Sequence, residues 1–145
     1  MVTRSAVITE ALTWEHTPYH AQACLKGVGV DCAMLLVGVA RACGCLPPDW
    51  TPAPYSPEWH CHQKAERLRD TLEAVGAAPL PQEGQPGDIV TFRMRPHEPI
   101  SHLGIVLPGI DVLHALWGRA VLRHRLVGRW ARMIAGYYAF PGVYA

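Results

Sequence analysis

Charge is scarce in this chain of 145 residues: 17% of positions are Asp, Glu, Lys or Arg, and the formal net charge is +1. No surplus of one sign exists to hold nucleic acid or an anionic membrane by electrostatics. Long apolar runs are missing too. The longest, Cys32 to Ala40, falls far short of the roughly 20 residues a bilayer span needs. No secretory h-region follows Arg4, so synthesis in the cytoplasm without a signal peptide is expected, with thiols kept reduced. Repeats of fixed period and low-complexity tracts are absent. The five cysteines are an odd number and cannot all pair with one another. Half of the residues are hydrophobic, which excludes intrinsic disorder. The length suits one core that buries about two thirds of the unfolded surface. A single domain over 1–145 is therefore expected.

What is present changes character midway. Thr3 is placed to cap a helix from Arg4 to about Trp14, with Val7, Ile8 and Leu12 at helical spacing, and Thr17-Pro18-Tyr19 breaks it. A glycine loop, Lys26 to Val30, leads to Asp31-Cys32 and a helix that is apolar nearly all round, of the kind buried in mid-domain, ending at Gly44. Leu46 to Pro57 carries five prolines and reads as a loop. Ser56-Pro57-Glu58 then starts a further helix, with Ala65, Leu68, Leu72 and Val75 as its buried stripe and Gly76 as its stop. From Asp88 onward the runs are short, β-type and bounded by Gly or Pro: 88–94, 101–107, 111–116, 120–126 and 135–140. Helices first and strands second predict an α+β fold with a mainly antiparallel sheet, since the gaps between strands are too short for parallel crossovers.

Cys32 stands where the glycine loop becomes a helix. Free N–H groups and the positive end of the helix dipole favour a thiolate there, and the same N–H groups suit a developing oxyanion. On that ground Cys32 is expected to be the most reactive thiol near neutral pH. His102 opens a strand, and His114 lies on the next one across a hairpin turn at Pro108-Gly109. A three-residue loop from Leu107 to Gly109 sets His102 directly opposite His114, whereas a two-residue loop puts the rings on opposite faces. In the first register one imidazole deprotonates the thiol while the other fixes its tautomer.

These residues resemble a known family. Gly29-Val30-Asp31-Cys32 is similar to the nucleophile motif of the NlpC-type cell-wall cysteine peptidases. Gly87-Asp88-Ile89-Val90-Thr91-Phe92, His102-Leu103-Gly104-Ile105-Val106, Leu113-His114-Ala115 and Thr17-Pro18-Tyr19 resemble that family's further motifs, in the same order along nearly the whole chain. Lys26 to Cys32, Tyr55 to Trp59, Phe92 to Met94 and Tyr137 to Pro141 are similar to the branch found in phage, prophage and gene-transfer-agent tail clusters. The resemblance implies a papain-like domain, with N-terminal helices and the nucleophile at a helix start packed on the sheet. It implies hydrolysis of a peptidoglycan stem-peptide bond, typically D-γ-glutamyl to diaminopimelate, without a cofactor. It implies Cys32 as nucleophile, His102 as general base and later acid, and His114 as the orienting residue. Tyr19, Asp31 and Ser101 are the candidate substrate-binding residues. Where the family carries Gly two residues after the nucleophile, this chain has Met34, which bears on substrate preference. The tail branch implies delivery to the cell wall or periplasm within a phage-like particle and possession of tail-protein partners. A monomeric catalytic domain is expected, and the low net charge and short apolar runs predict neither nucleic-acid binding nor membrane insertion.

Three rivals stand beside this reading. Cys43-Gly44-Cys45 and His60-Cys61-His62 are rich in metal donors, but neither has the paired spacing of a structural zinc site. A related fold using the same Cys–His pair can act as an acyltransferase or amidase. A tail structural or adaptor protein can keep the fold without the activity. Arg119, Arg123, Arg125, Arg129 and Arg132 read as a solvated face rather than a binding patch.

Overall fold

The computed structural model describes residues 2–52 and 67–143. Helix α1 spans Arg4–Leu12, and the Thr3 hydroxyl accepts the Ala6 N–H at its start, 3.1 Å away. Two short strands, β1 (Cys24–Leu25) and β2 (Gly29–Val30), pair as an antiparallel hairpin, so the expected glycine loop of Lys26 to Val30 ends in a strand. Helix α2 spans Cys32–Ala42. Its Ala, Met and Leu residues favour a helix, Asp31 caps its start, and Gly44 just past its end takes φ +78°, a conformation that suits glycine. Every residue from Ala33 to Ala40 is buried, as the all-round apolar pattern predicts. Helix α3 (Arg67–Ala74) follows, with Leu68, Leu72 and Val75 buried. The expected start of that helix at Ser56 and its Ala65 lie outside the described residues.

The second half is a six-stranded antiparallel sheet. Its strands are β3 (Ala78–Leu80), β4 (Ile89–Phe92), β5 (His102–Leu107), β6 (Asp111–Ala115), β7 (Val121–Arg125) and β8 (Ile134–Ala139), ordered β3-β8-β4-β5-β6-β7. Strand β3 and the short helix α4 (Gly128–Arg132) are additions to what the sequence predicts. Both faces of the middle strands are covered. Ile89, Leu103, Ile105, Leu107 and Leu113 join α1 and α2 in the main core, while Val90, Phe92, Val106 and Val112 form a smaller cluster with Trp130 of α4. All six residues of β5 are buried for that reason.

The β5–β6 register corrects the expected one. Ile105 faces Leu113 and Leu107 faces Asp111, so the loop is Pro108-Gly109-Ile110 and not Leu107 to Gly109. Leu107 is 3% exposed on the core face, and keeping it in the strand moves the turn one residue along. Gly109 and Ile110 take φ of +78° and +60° to close it. His102 therefore does not stand directly opposite His114. Continuing the ladder, Gly104 does.

Candidate active site

The shift preserves the alternation that matters: His102 and His114 still share one face of the sheet. They meet along a diagonal, a distance across antiparallel strands that long side chains span. His102 Nε2 and His114 Nδ1 are 2.8 Å apart. Gly104 makes the diagonal possible. A Cβ there would lie 3.0 Å from His114 Cβ and 2.9 Å from the Leu113 carbonyl oxygen.

The chain of rings goes on. His114 Nε2 lies 2.8 Å from Nδ1 of His124 on β7, again along a diagonal, because Val112 is the residue that faces His124. The indole of Trp130 packs on all three imidazoles, with ring centroids 6.1, 4.7 and 5.5 Å from His102, His114 and His124. Phe92, which pairs with His102 across the β4–β5 ladder, packs on His102 and His114 and meets Trp130 edge-on. Sequence reasoning missed both His124 and Trp130. The available signal was the spacing of 12 and 10 residues between the three histidines over two short hairpins.

Burial governs the protonation of His102 and His114. Desolvation drives His102 down to about 4. It drives His114 down to about 2, with repulsion from His102 and His124 adding to it. Both rings are neutral at pH 7.

Cys32 sits at the N-terminus of α2 as expected. The backbone N–H groups of Leu103, Ala33 and Cys32 itself act on its sulfur and favour the thiolate, which places it near the start of β5, beside the residue that follows His102. The β5–β6 ladder covers only Ile105 to Leu107 on β5, which leaves the Leu103 N–H outside it. Among the described residues no hydrogen bond joins the sulfur to an imidazole. The expectation of a resting thiolate is overturned. Burial, and then the Asp31 carboxylate, push the Cys32 thiol up to about 12, outweighing the N–H groups that pull it down.

Tyr19 is half-buried next to these groups. Burial raises its hydroxyl first, followed by the nearness of Cys32 and Asp31, so it stays a protonated donor. Its ring rests against Trp117, 5.4 Å between centroids. Trp117 is 63% exposed on a turn tied to the Tyr19 segment by the Tyr19 N–H to Arg119 carbonyl bond of 2.9 Å. Asp31 is turned inward. It is 2% exposed, and its two oxygens accept the N–H groups of Met34 at 2.8 Å and Gln22 at 2.7 Å. Ser101 is half-buried at the foot of β5, and its hydroxyl accepts the Met94 N–H at 3.3 Å. The structure thus brings Tyr19, Asp31 and Cys32 together, and links His102 to His114. Met34 is 5% exposed and packs in the main core.

Among the described residues no three His, Cys, Asp or Glu side chains gather as metal ligands; the three imidazoles are strung in a line. Cys24, Cys32, Cys43 and Cys45 are free thiols. His60-Cys61-His62 lies outside the described residues. Among the described residues no helix is long and apolar enough to cross a membrane.

No family model and no curated protein matches the chain. Solved structures do. A Staphylococcus aureus protein described as similar to lipoprotein, of the NLP/P60 family, is 20% identical with a TM-score of 0.64, over 98% of this chain and 42% of that one. An NlpC/P60 family protein from Bacillus cereus is 16% identical with a TM-score of 0.66, over 96% of this chain and 40% of that one. The NlpC/p60 domain of the peptidoglycan hydrolase SagA is 17% identical with a TM-score of 0.61, over 95% of this chain and 98% of that one. The chain thus spans about two fifths of the first two proteins and nearly all of the SagA domain. It has the α+β fold of NlpC/P60 domains.

Proposed function

We propose that this chain is a cysteine peptidase that hydrolyses a peptide bond in peptidoglycan stem peptides, the D-γ-glutamyl to diaminopimelate bond being the favoured one. One observation carries the proposal: the Cys32 sulfur lies at the β5 end that bears His102, and Nε2 of that ring is held by His114 at 2.8 Å. Cys32 is the nucleophile. His102, through Nδ1, takes the thiol proton as the sulfur attacks the carbonyl, and returns it to the leaving amine; water then discharges the acyl-enzyme by the same route. His114 orients His102. The Tyr19 hydroxyl, held in its protonated form, donates to the oxyanion. Asp31 and Ser101 shape the substrate site through the backbone they hold.

Support for the wall substrate comes from the neighbours of like fold. SagA is named as a peptidoglycan hydrolase, and a further neighbour, Ly7917, is described with the hydrolysing product of MDP, at 17% identity and a TM-score of 0.56. Delivery on a phage-like tail, action in the cell wall or periplasm and tail partners belong to the same proposal and rest on the tail-branch sequence motifs; a monomeric state is proposed with them. The test is digestion of defined stem peptides with product masses. The expected result is one new amine and one new carboxylate at the γ-glutamyl bond, with turnover lost in a folded Cys32→Ala variant. Unchanged turnover in that variant refutes the mechanism, and transfer to an added amine in place of water favours the acyltransferase reading.

A further inference from the structure

The row of imidazoles has a direction, and its direction decides whether His102 can act as a base. Each neutral imidazole carries one ring proton. If His102 is to accept the thiol proton at Nδ1, its own proton must sit on Nε2. It then donates to His114 Nδ1, which forces the His114 proton onto Nε2, and that proton is donated to His124 Nδ1. The opposite direction places a proton on Nδ1 of His102 and removes its lone pair. Two contacts of 2.8 Å lock the three rings into one state or the other.

We infer that His124 is a positioning residue of the site: by accepting the His114 Nε2–H it sets the direction of the three-imidazole chain and leaves the His102 Nδ1 lone pair free for the thiol proton. The inference rests on the proposed roles of Cys32 and His102. His102 and His114 are 8% and 0% exposed, so neither meets bulk water freely, whereas His124 is half-buried. Its outer nitrogen, which must carry the proton in this direction, is the end of the row that water can satisfy. Strand β7 is held in place to present it. Arg123, on the other face, binds Glu15 through two nitrogens at 2.8 Å each, and Trp130 packs on the His124 ring.

The same row carries the reaction's proton without leaving a buried cation. As the S–H bond of Cys32 breaks, a proton joins His102 Nδ1; the Nε2 proton of His102 passes to His114 Nδ1, and that of His114 Nε2 passes to His124 Nδ1. His124 becomes the imidazolium, at the half-exposed end. Protonation of the leaving amine by His102 Nδ1 reverses every transfer and restores the starting state, so protons and charge balance.

The test is nitrogen-15 NMR of the histidine rings in the full chain, which needs no substrate, beside stem-peptide kinetics. The wild type is expected to show His102 and His114 as Nε2–H tautomers. His124→Asp, an acceptor only, keeps both tautomers and holds kcat within about threefold, while His124→Ala mixes them and lowers kcat roughly tenfold to a hundredfold at unchanged KM, the order of loss when an outer hydrogen-bond partner of a functional histidine is removed. Nδ1–H at His102 in the wild type overturns the inference without any variant having to fold. So does His124→Ala with both tautomers intact. A Cys32→Ala variant that stays active, with the tautomers as stated, refutes the active-site assignment and leaves the imidazole chain standing.

Discussion

Gly104→Ala puts the geometry of the site under a worked load. The new Cβ would lie 2.5 Å from Val112 Cγ2, 2.9 Å from the Leu113 carbonyl oxygen and 3.0 Å from His114 Cβ. Carbon atoms rest about 3.5–4.0 Å apart, so the shortfall is roughly 1 Å. The Val112 methyl can turn away. The carbonyl and His114 Cβ cannot, because they belong to the strand itself, so β6 must recoil. A recoil of roughly 0.5 Å, the shortfall at His114 Cβ, lengthens and tilts the 2.8 Å contact between His102 and His114 and weakens it as a hydrogen bond. Overpacking costs about 1–3 kcal/mol. The weakened hydrogen bond between buried rings adds up to about 1 kcal/mol. With a urea slope of about 2 kcal/mol per molar, the midpoint should fall by roughly 0.5–2 M. Because the hold of its orienting partner on His102 is weakened, kcat should fall about tenfold, an order-of-magnitude expectation for a loosened imidazole. Gly136→Ala, in the same sheet, is the control. Its Cβ meets only Thr91 Oγ1 at 3.9 Å, and the change should stabilise by about 0.5–1 kcal/mol. Urea melts and stem-peptide turnover read both variants. A Gly104→Ala protein with wild-type midpoint and turnover refutes the claim that this glycine makes room for the pair.

Two further expectations follow from the buried rings and the exposed rim. His102 and His114 have folded-state values lowered to about 4 and about 2, below the ordinary 6.5, so the unfolded chain binds more protons than the fold as pH drops through 6.5. Their contribution is present above pH 6.5 and is lost toward pH 4, at up to about 1.4 kcal/mol per pH unit for each ring; a urea midpoint that stays flat from pH 6.5 to 4 contradicts it, and His114→Asn should shallow the slope. Trp117→Ala should raise KM for stem peptides about threefold to tenfold with kcat nearly unchanged, as expected where an exposed aromatic wall supplies uniform binding. A fall in kcat at constant KM would mean that Trp117 acts on Tyr19 instead.

Much of this site is legible in the residues. The capping Thr3, the stop at Gly44 and the buried α2 stripe follow from local chemistry that tertiary contacts do not override. The parity of the hairpin is legible too, since an odd loop keeps both histidines on one face. The exact rung is not, because Leu107 belongs to the strand by virtue of a core that only the assembled fold provides. Strands β1 and β2 were invisible for a related reason. Each is two residues long, and what pairs them is their place between the Tyr19 segment and α2, not any alternation in the sequence. His124 reads as one polar residue between arginines on an edge strand, and nothing local marks it as the third ring of a row. The thiol shows the same limit in energetic terms. The helix start predicts a lowered value, and its N–H groups do act on the sulfur, yet the desolvation that outweighs them comes from packing.

That balance constrains how the nucleophile arises. Burial favours the neutral forms of Cys32, His102 and His114: it lifts the thiol and lowers the two imidazoles. A preformed thiolate–imidazolium pair is therefore not the resting state, and the sulfur becomes nucleophilic only as its proton leaves. A buried His102 cation would oppose that step, and the cost is relieved when charge is passed outward to a ring that water reaches. The Asp31 carboxylate sharpens the same requirement, because its charge lies near the sulfur and disfavours a second negative charge there. Yet Asp31 cannot be dispensed with, since it holds the Met34 and Gln22 N–H groups that fix the start of α2. The residue that places the thiol also resists its ionisation, and the site answers with the Leu103, Ala33 and Cys32 N–H groups at the sulfur and a relay of imidazoles that carries the proton away.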